Sequence, residues 1–202
     1  MEPGVDVRFV SEGRSIGDAD LLVLPGTRAT LADLAWLREH GLDQAIRRHA
    51  ANGRPVLGVC GGFQLVGHHI ADPEGAEGAV GAGADGLGLL DVRTEFSSAK
   101  VLRLPMGEAL GVTAAGYEIH HGRIQLGQDD PFLDGAGAGH VFGTMWHGSL
   151  ESDQVRAAFL SEIASLTGST WQPSRVRFAD ARERRPGRTI PRHPPVRVAG
   201  PI

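Results

Sequence analysis

The stretch that decides the fold covers residues 55–70 and reads PVLGVCGGFQLVGHHI. Its first part, Pro55–Val59, is a continuous apolar run of the kind found in strands buried within parallel sheets. After Cys60, apolar residues from Phe63 onward continue at helical spacing. Glycine stands two positions before and two positions after the cysteine. This pattern predicts a sharp strand-to-helix turn that lifts Cys60 over the carboxyl edge of a sheet.

Strands and helices alternate on both sides of this turn. Glycine or proline closes several of the apolar runs, and Thr30 is predicted to cap the helix that follows the second strand. The alternation predicts an α/β fold with a largely parallel sheet covered by helices on both faces. The glycine-rich residues 75–88 are predicted to form a mobile loop. The predicted strands are 6–10, 20–24, 55–59, 87–92, 100–104, 117–120 and 140–145, and the predicted helices are 31–37, 42–51, 61–70 and 153–166.

Charge divides the chain into two regions. The 202 residues carry a net charge of −4, but residues 171–202 hold eight arginines against two acidic residues, together with six of the 12 prolines. Such a composition cannot offset its ordering entropy by burying apolar surface. We therefore expect a folded domain over residues 1–168 and a disordered Arg/Pro-rich tail over residues 169–202. The tail lacks interleaved aromatic residues, which argues against a nucleic-acid partner.

Cysteine usage and hydropathy indicate the compartment. A single cysteine rules out an internal disulfide framework and is typical of a reducing compartment. No stretch approaches the 18 or more apolar residues that a membrane-spanning helix requires, and no signal peptide is recognisable. We expect a cytoplasmic protein without a membrane partner.

Cys60 and His147 are the candidate catalytic residues. At the predicted turn, the Gly61 N–H points toward an oxyanion formed by attack of the sulfur, and the helix dipole is expected to lower the thiol pKa. A lone cysteine is more often a small buried hydrophobe, but the flanking glycines favour a nucleophile. His147 follows a predicted strand and falls at the same sheet edge, where it can serve as the base.

The other histidines have ordinary explanations. His40 and His49 are predicted to lie on exposed sides of polar helices. His120 and His121 are adjacent on a predicted strand, so their side chains point to opposite faces and make a poor metal pair. The sequence therefore predicts no metal site.

Three segments carry a resemblance to a known family. The segments GVCGGFQ (58–64), GYEIHHG (116–122) and GTMWHG (143–148) are similar to the signatures of the glutamine amidotransferase domain found in cobyric acid synthases. The segments LPGTRAT (24–30) and DLAWL (33–37) match as well. The resemblance covers about residues 5–180, and GYEIHHG followed by GTMWHG is its most specific part.

The resemblance implies a flavodoxin-like class I amidotransferase domain that hydrolyses glutamine. It implies Cys60 as nucleophile and His147 as base. Many class I members orient the histidine with a glutamate two residues later, but Ser149 stands there, which leaves Glu151 and Glu118 as open candidates for a third member. The resemblance also implies an oxyanion hole formed by the N–H groups of Gly61 and Gly26 and a glutamine pocket shaped by Gln64, Tyr117, Glu118 and His120.

The resemblance also implies partners outside this sequence. No phosphate-binding glycine motif is present, so ATP and Mg²⁺ are expected only in a separate synthetase domain or chain that amidates a corrin substrate. The amidotransferase domain itself is expected to bind no cofactor. The family begins with a strand upstream of residues 6–10, so a central strand is expected to be missing, which leaves a gap or an open edge in the sheet.

Two alternatives remain open at the level of sequence. One is the glutaminase subunit of an enzyme that amidates a peptidoglycan precursor, although the usual asparagine of that group is replaced by Ile119. The other is a truncated, catalytically silent domain that persists as a binding module.

Overall fold

A seven-stranded sheet forms the centre of the protein in this computed structural model, which describes residues 2–174, Arg177 and Val196–Gly200. Five neighbouring strands run parallel, and the last two continue the sheet in antiparallel fashion. The spatial order is β1 (Val5–Phe9), β13 (Val196–Gly200), β2 (Leu21–Leu24), β3 (Val56–Val59), β12 (Val141–Thr144), β11 (Gly135–Ala138) and β10 (Asp130–Phe132).

Helices cover both faces of this sheet because its strands are apolar on both faces. On β2, Leu22 and Leu24 pack into one core with residues of α1 (Thr30–Glu39), α2 (Leu42–Ala51) and α3 (Gly61–Val66). Leu21 points to the opposite face and joins a second core beneath α4 (Asp153–Thr167), together with Leu57, Phe132, Phe142, Phe159 and Ile163. The α/β fold class predicted from the sequence is confirmed.

A second, smaller sheet lies beside the first and has mixed strand directions. Its order is β5 (Ala82–Asp85), β4 (His69–Asp72), β6 (Val92–Arg103) and β9 (Glu118–Leu126), with only the β4–β6 pair parallel. A separate hairpin of β7 (Met106–Ala109) and β8 (Val112–Ala115) connects β6 to β9.

Several predicted boundaries differ from the structure. Thr30 is the first residue of α1 and Ala29 is the N-cap, so Thr30 does not cap the helix as predicted. The helix after Cys60 ends at Val66, because the extended Gly67 packs so closely on the Val92 carbonyl that a Cβ would lie 2.6 Å from its oxygen. Residues 75–88, predicted as loop, contain β5, and β6 begins only at Val92.

The expected gap in the sheet is filled by β13. This strand lies between β1 and β2 and pairs in parallel with both, through five residues on one side and two on the other. Val196–Gly200 therefore differs from the disorder expected over residues 169–202. Proline flanks the strand in the sequence, so its apolar pattern is too short to be recognised without its neighbours. Residues 175, 176, 178–195, 201 and 202 lie outside the described residues.

Within the described part of the chain, no helix has the length and apolar character needed to cross a membrane.

Candidate active site

The turn between β3 and α3 places Cys60 in a conformation that few side chains adopt. Its backbone has φ 51° and ψ −111°. Its N–H donates to the Thr144 carbonyl of β12 (2.8 Å), and its own carbonyl accepts from the Gln64 N–H (3.0 Å). These bonds hold the turn on both sides, so the strain at Cys60 is supported by the sheet and by the helix.

The flanking glycines are required by close packing. A Cβ on Gly58 would lie 2.7 Å from the Gly62 carbonyl oxygen, and one on Gly62 would overlap the Leu24 carbonyl of β2. A Cβ on Gly61 would lie 2.8 Å from the Thr27 nitrogen. The sequence signal of the turn therefore reflects the packing of α3 against β2 and the loop after it.

His147 follows β12 and is held by Tyr117. The two residues exchange backbone hydrogen bonds of 3.0 Å and 2.9 Å, and their rings stack at 5.1 Å between centroids with planes 16° apart. Gly148 follows in a left-handed conformation, φ 73°, which turns the chain into the next helical segment. The imidazole is thus fixed both by its backbone and by an aromatic face.

Cys60 and His147 meet at Gly26, in the loop after β2. A Cβ built on Gly26 would lie 2.7 Å from His147 Cε1 and 3.5 Å from Cys60 Cβ. Only glycine leaves room for both side chains at this point. The structure therefore brings together three residues that the sequence placed in separate segments.

Burial controls the acidity of the Cys60 thiol. Cys60 is 4% exposed, and this burial raises the pKa of its thiol to about 11. A hydrogen bond from the Gly61 N–H lowers the pKa, and the charges of Glu77, Asp134 and Glu118 raise it. The thiol pKa was expected to be lowered by the helix dipole, and this expectation is wrong because desolvation favours the neutral thiol and outweighs the Gly61 hydrogen bond.

His147 is suited to accept a proton. Burial lowers its pKa, and the nearby His120 lowers it further, so the ring is neutral near pH 7. Among the residues that the structure describes, no carboxylate forms an ion pair with His147. Glu118 bonds to other partners, and the exposed Glu151 has its carboxyl carbon 3.9 Å from the position of a Cβ on Gly148.

Gln64 lies one helical turn after Cys60 and is 2% exposed. Its Oε1 accepts from the Thr30 hydroxyl at 3.1 Å. Its Nε2 is buried without a hydrogen-bond partner and packs against Gly122, where a Cβ would overlap it. Gln64 therefore connects the turn to the start of α1 and to β9.

The remaining predicted pocket residues come from the GYEIHHG segment. Tyr117 is half exposed and lies against His147, whereas Glu118 is 7% exposed and accepts from Trp146 Nε1 at 3.1 Å. His120 has its Nε2 3.5 Å from Glu118 Oε2 and its Nδ1 2.7 Å from the Gly122 carbonyl oxygen. Glu118 and His120 share one face of β9, as alternate strand residues must.

Two carboxylates near the site were not identified from the sequence. Asp134 accepts from the Thr144 hydroxyl (2.6 Å) and the Met145 N–H (3.1 Å), and so fixes the end of β12 just before His147. Glu77 accepts from the Thr30 N–H (2.7 Å), and its other carboxyl oxygen lies 3.0 Å from the Thr30 hydroxyl. Both acids lie in loops, and their hydrogen-bond partners are 10 to 47 positions away in the sequence. No local sequence motif therefore identifies them.

A cavity of about 270 Å³ adjoins the loop after β2. Gly26, Thr27, Asp33 and Trp36 are among the residues that line it, and Gly26 is also the residue next to Cys60 and His147. In the described ranges, no three histidine, cysteine, aspartate or glutamate side chains are grouped so as to hold a metal ion.

Comparison with known proteins identifies the family to which the chain belongs. A profile of the CobB/CobQ-like glutamine amidotransferase domain matches residues 1–155. The chain is 62% identical over 186 residues to a cobyric acid synthase of Mycobacterium marinum and 61% identical over 186 residues to that of Mycolicibacterium gilvum. It is 59% identical over 188 residues to the cobyric acid synthase of Mycobacterium tuberculosis. Each alignment covers 92% of this chain but only 37% of the relative.

The fold also has a solved counterpart. A crystal structure of a glutamine amidotransferase superimposes with a TM-score of 0.57, covering 82% of this chain and 88% of the other at 18% sequence identity. At this identity the likeness concerns the fold, and it agrees with the α/β architecture described above.

Proposed function

Because the chain belongs to the CobB/CobQ-like glutamine amidotransferase domain family, we propose that it releases ammonia from the side-chain amide of glutamine through Cys60 and His147. The observation that carries this proposal is the meeting of Cys60, His147 and Gly26 at the edge of the sheet. A nucleophile on a strained turn, a neutral base beside it and a glycine loop opposite are the parts that acyl transfer requires.

The reaction begins with a proton transfer. Because the buried thiol has a pKa of about 11, it is neutral at rest, and His147 removes its proton as the sulfur attacks the amide carbon of glutamine. The tetrahedral intermediate collapses when the C–N bond breaks and the imidazolium returns its proton to the departing ammonia. Water, activated by the same imidazole, then cleaves the thioester and releases glutamate.

Backbone donors from two loops support the oxyanion. The Gly61 N–H lies at the start of α3 and already interacts with the Cys60 sulfur. Within residues 2–174 the Gly26 N–H has no hydrogen-bond partner, so it is available to a developing negative charge. One such donor typically contributes 10² to 10³ in rate.

Four residues are proposed to shape the glutamine pocket. Gln64 and Glu118 are buried polar side chains, Tyr117 lies against the base, and His120 is held on the same strand. Buried polar groups are costly unless they are paired. The unpaired Gln64 Nε2 can therefore donate a hydrogen bond to a polar end of glutamine.

The ammonia is proposed to serve a synthetase. The chain spans 37% of the length of the cobyric acid synthases it matches, so those relatives contain a large additional part. We propose that an equivalent synthetase domain or chain in the cytoplasm, using ATP and Mg²⁺, transfers the ammonia to carboxylates of a corrin in cobalamin biosynthesis.

The proposal is tested by trapping the nucleophile. A chloroketone analogue of glutamine should alkylate Cys60, forming a C–S bond with loss of chloride, and glutamine should protect the thiol. His147→Ala should slow the labelling by about 10² to 10⁴, whereas the exposed His68→Ala should label like the unaltered chain.

Glutamine turnover is the second measurement. Cys60→Ser should reduce glutamate release to background while the thermal transition stays in place. Labelling without glutamine protection, or glutamate release that survives Cys60→Ser, would contradict the proposed chemistry.

A further inference from the structure

Glu77 is an acid in the loop between β4 and β5 whose side chain turns back toward the catalytic side of the sheet. Its Oε2 accepts from the Thr30 N–H at 2.7 Å, and its Oε1 lies 3.0 Å from the Thr30 hydroxyl. The two residues are 47 positions apart. Both oxygens of the carboxyl group therefore lie against the start of α1, where the Leu31 backbone also bonds to the carboxyl group.

The loop that carries Glu77 is itself held in place. Asp72, which is fully buried at the end of β4, accepts from the N–H groups of Ala76, Glu77 and Gly78 at 2.7, 2.9 and 2.9 Å. Three bonds to one carboxylate define the course of the loop. Glu77 is thus presented to Thr30 by a rigid backbone.

Thr30 continues the chain of hydrogen bonds to Gln64. Its hydroxyl lies 3.1 Å from Gln64 Oε1 as well as 3.0 Å from Glu77 Oε1. One hydroxyl has one proton, so it cannot donate to two acceptors at once. A proton on Glu77 completes the chain, because Glu77 then donates to Thr30 and Thr30 donates to Gln64. Burial raises the pKa of Glu77 in the direction that favours this proton.

Gln64 has a second amide atom that nothing in the described chain satisfies. Its Nε2 is buried and packs against Gly122 of the GYEIHHG segment. Since the amide is planar, a bond that fixes Oε1 also fixes where Nε2 points. The direction of this unpaired donor therefore depends on Thr30 and on the acid behind it.

We propose that Glu77 is a positioning residue of the glutamine site, which acts through Thr30 to hold the Gln64 amide with its Nε2 directed to the bound glutamine. This inference rests on the proposed glutaminase function. Within the described residues, the hydrogen bonds of Glu77 go to the start of α1 and not to Cys60 or His147. Glu77, Thr30 and Gln64 form a buried chain of hydrogen bonds, and the bound glutamine accepts from the Gln64 Nε2 at its end.

Three variants separate positioning from simple loss of charge. Glu77→Ala removes both bonds to Thr30. Glu77→Gln keeps them, because the new amide donates to the Thr30 hydroxyl and accepts from the Thr30 N–H, as the protonated acid does. Glu74→Ala is the matched control, since Glu74 is an exposed acid of the same loop that bonds to Ser98, whose N–H lies 2.8 Å from it, and not to Thr30.

The readout is the concentration dependence of Cys60 labelling by the chloroketone analogue of glutamine, compared with labelling by iodoacetamide, which does not resemble glutamine. Glu77→Ala should raise the analogue concentration for half-maximal rate about tenfold, but it should not slow the iodoacetamide reaction, because loss of the acid can only favour the Cys60 thiolate. Glu77→Gln should restore the unaltered behaviour, and Glu74→Ala should never depart from it.

Thr30→Val provides a second route if Glu77→Ala does not fold. It removes the hydroxyl link but keeps the shape and the N–H of residue 30, so it should show the same tenfold effect. The double variant Thr30→Val with Glu77→Gln should be no worse than Thr30→Val alone.

The outcomes distinguish the two proposals. Saturable labelling of the unaltered chain with no change in Glu77→Ala or Thr30→Val overturns the role of Glu77 and leaves the glutaminase function standing. Labelling that does not saturate in the unaltered chain overturns the glutaminase function, and the inference about Glu77 with it.

Discussion

At the scale of single residues, the site depends on glycines, whose lack of a Cβ atom allows close packing. Gly26, Gly58, Gly61 and Gly62 each stand where a Cβ would meet another part of the structure. These contacts explain why the turn around Cys60 is so rich in glycine. Gly62 is the most demanding of them, because its missing Cβ lets α3 lie directly against the Leu24 carbonyl of β2.

Gly62→Ala tests this close approach. Helix propensity alone would favour alanine inside α3 by about 1 kcal/mol. The overlap of the new Cβ with the Leu24 carbonyl should outweigh this gain and lower the free energy of unfolding by about 3 kcal/mol. Gly78→Ala is the control, because nothing lies within 4 Å of its added Cβ. Urea denaturation of both variants gives the comparison, and equal stabilities would show that α3 can move away without cost.

At the scale of elements, the position of β13 is the least expected feature. It is the last strand in the chain, but it lies between the first two. Val198 pairs with Val7 on one side and with Leu21 on the other, so it lies at the point where the strand is paired on both sides. The hydrogen bonds of β1 and β2 therefore depend on a segment that lies 191 residues after its partners in β1 and 177 residues after its partners in β2.

Val198→Pro tests whether β13 holds the sheet together. Proline removes a ladder donor from a strand paired on both sides, which should lower the free energy of unfolding by about 2 kcal/mol. Val196→Pro is the matched control, since it lies at the first residue of the same strand, where proline is tolerated, and pairs only with Val5. Thermal unfolding followed by circular dichroism measures both, and coincident transitions would mean that β13 contributes nothing to the sheet.

At the scale of the whole molecule, a buried histidine links stability to pH. His49 was predicted to be exposed, and this prediction is wrong, because the side chain is 4% exposed and its Nε2 lies 3.1 Å from the Pro55 carbonyl oxygen. Burial lowers its pKa from the ordinary 6.5 to about 4, with a hydrogen bond to Pro55 opposing the shift. The folded protein therefore resists a proton that the unfolded chain accepts.

The expected result is acid destabilisation in a defined window. The contribution of neutral, buried His49 to the free energy of unfolding is complete above about pH 6.5 and falls as the pH drops toward 4. Between about pH 7.5 and about pH 5 the loss amounts to about 2 kcal/mol. His49→Leu should flatten this part of the pH–stability curve, whereas His68→Leu, at an exposed position, should not. Denaturant unfolding across the pH range checks it, and an unchanged slope in His49→Leu would assign the acid sensitivity to other groups.

The sequence alone determined the features that depend on local pattern. The turn at Cys60 is marked by its own glycines, α2 begins and ends at the predicted Leu42 and Ala51, and His147 follows a short apolar strand. In each case the residues that carry the signal are also the residues that form the structure. The α/β class follows from the same alternation of periods.

Only the tertiary structure decided the features that join distant segments. The raised pKa of Cys60, the burial of His49, the link from Glu77 to Gln64 and the place of β13 all depend on which residues the fold brings together. Desolvation and hydrogen bonding act over a few ångströms in space, whatever the separation along the chain. Such effects leave no periodic pattern in the sequence, so they become visible only when the strands and loops have their neighbours.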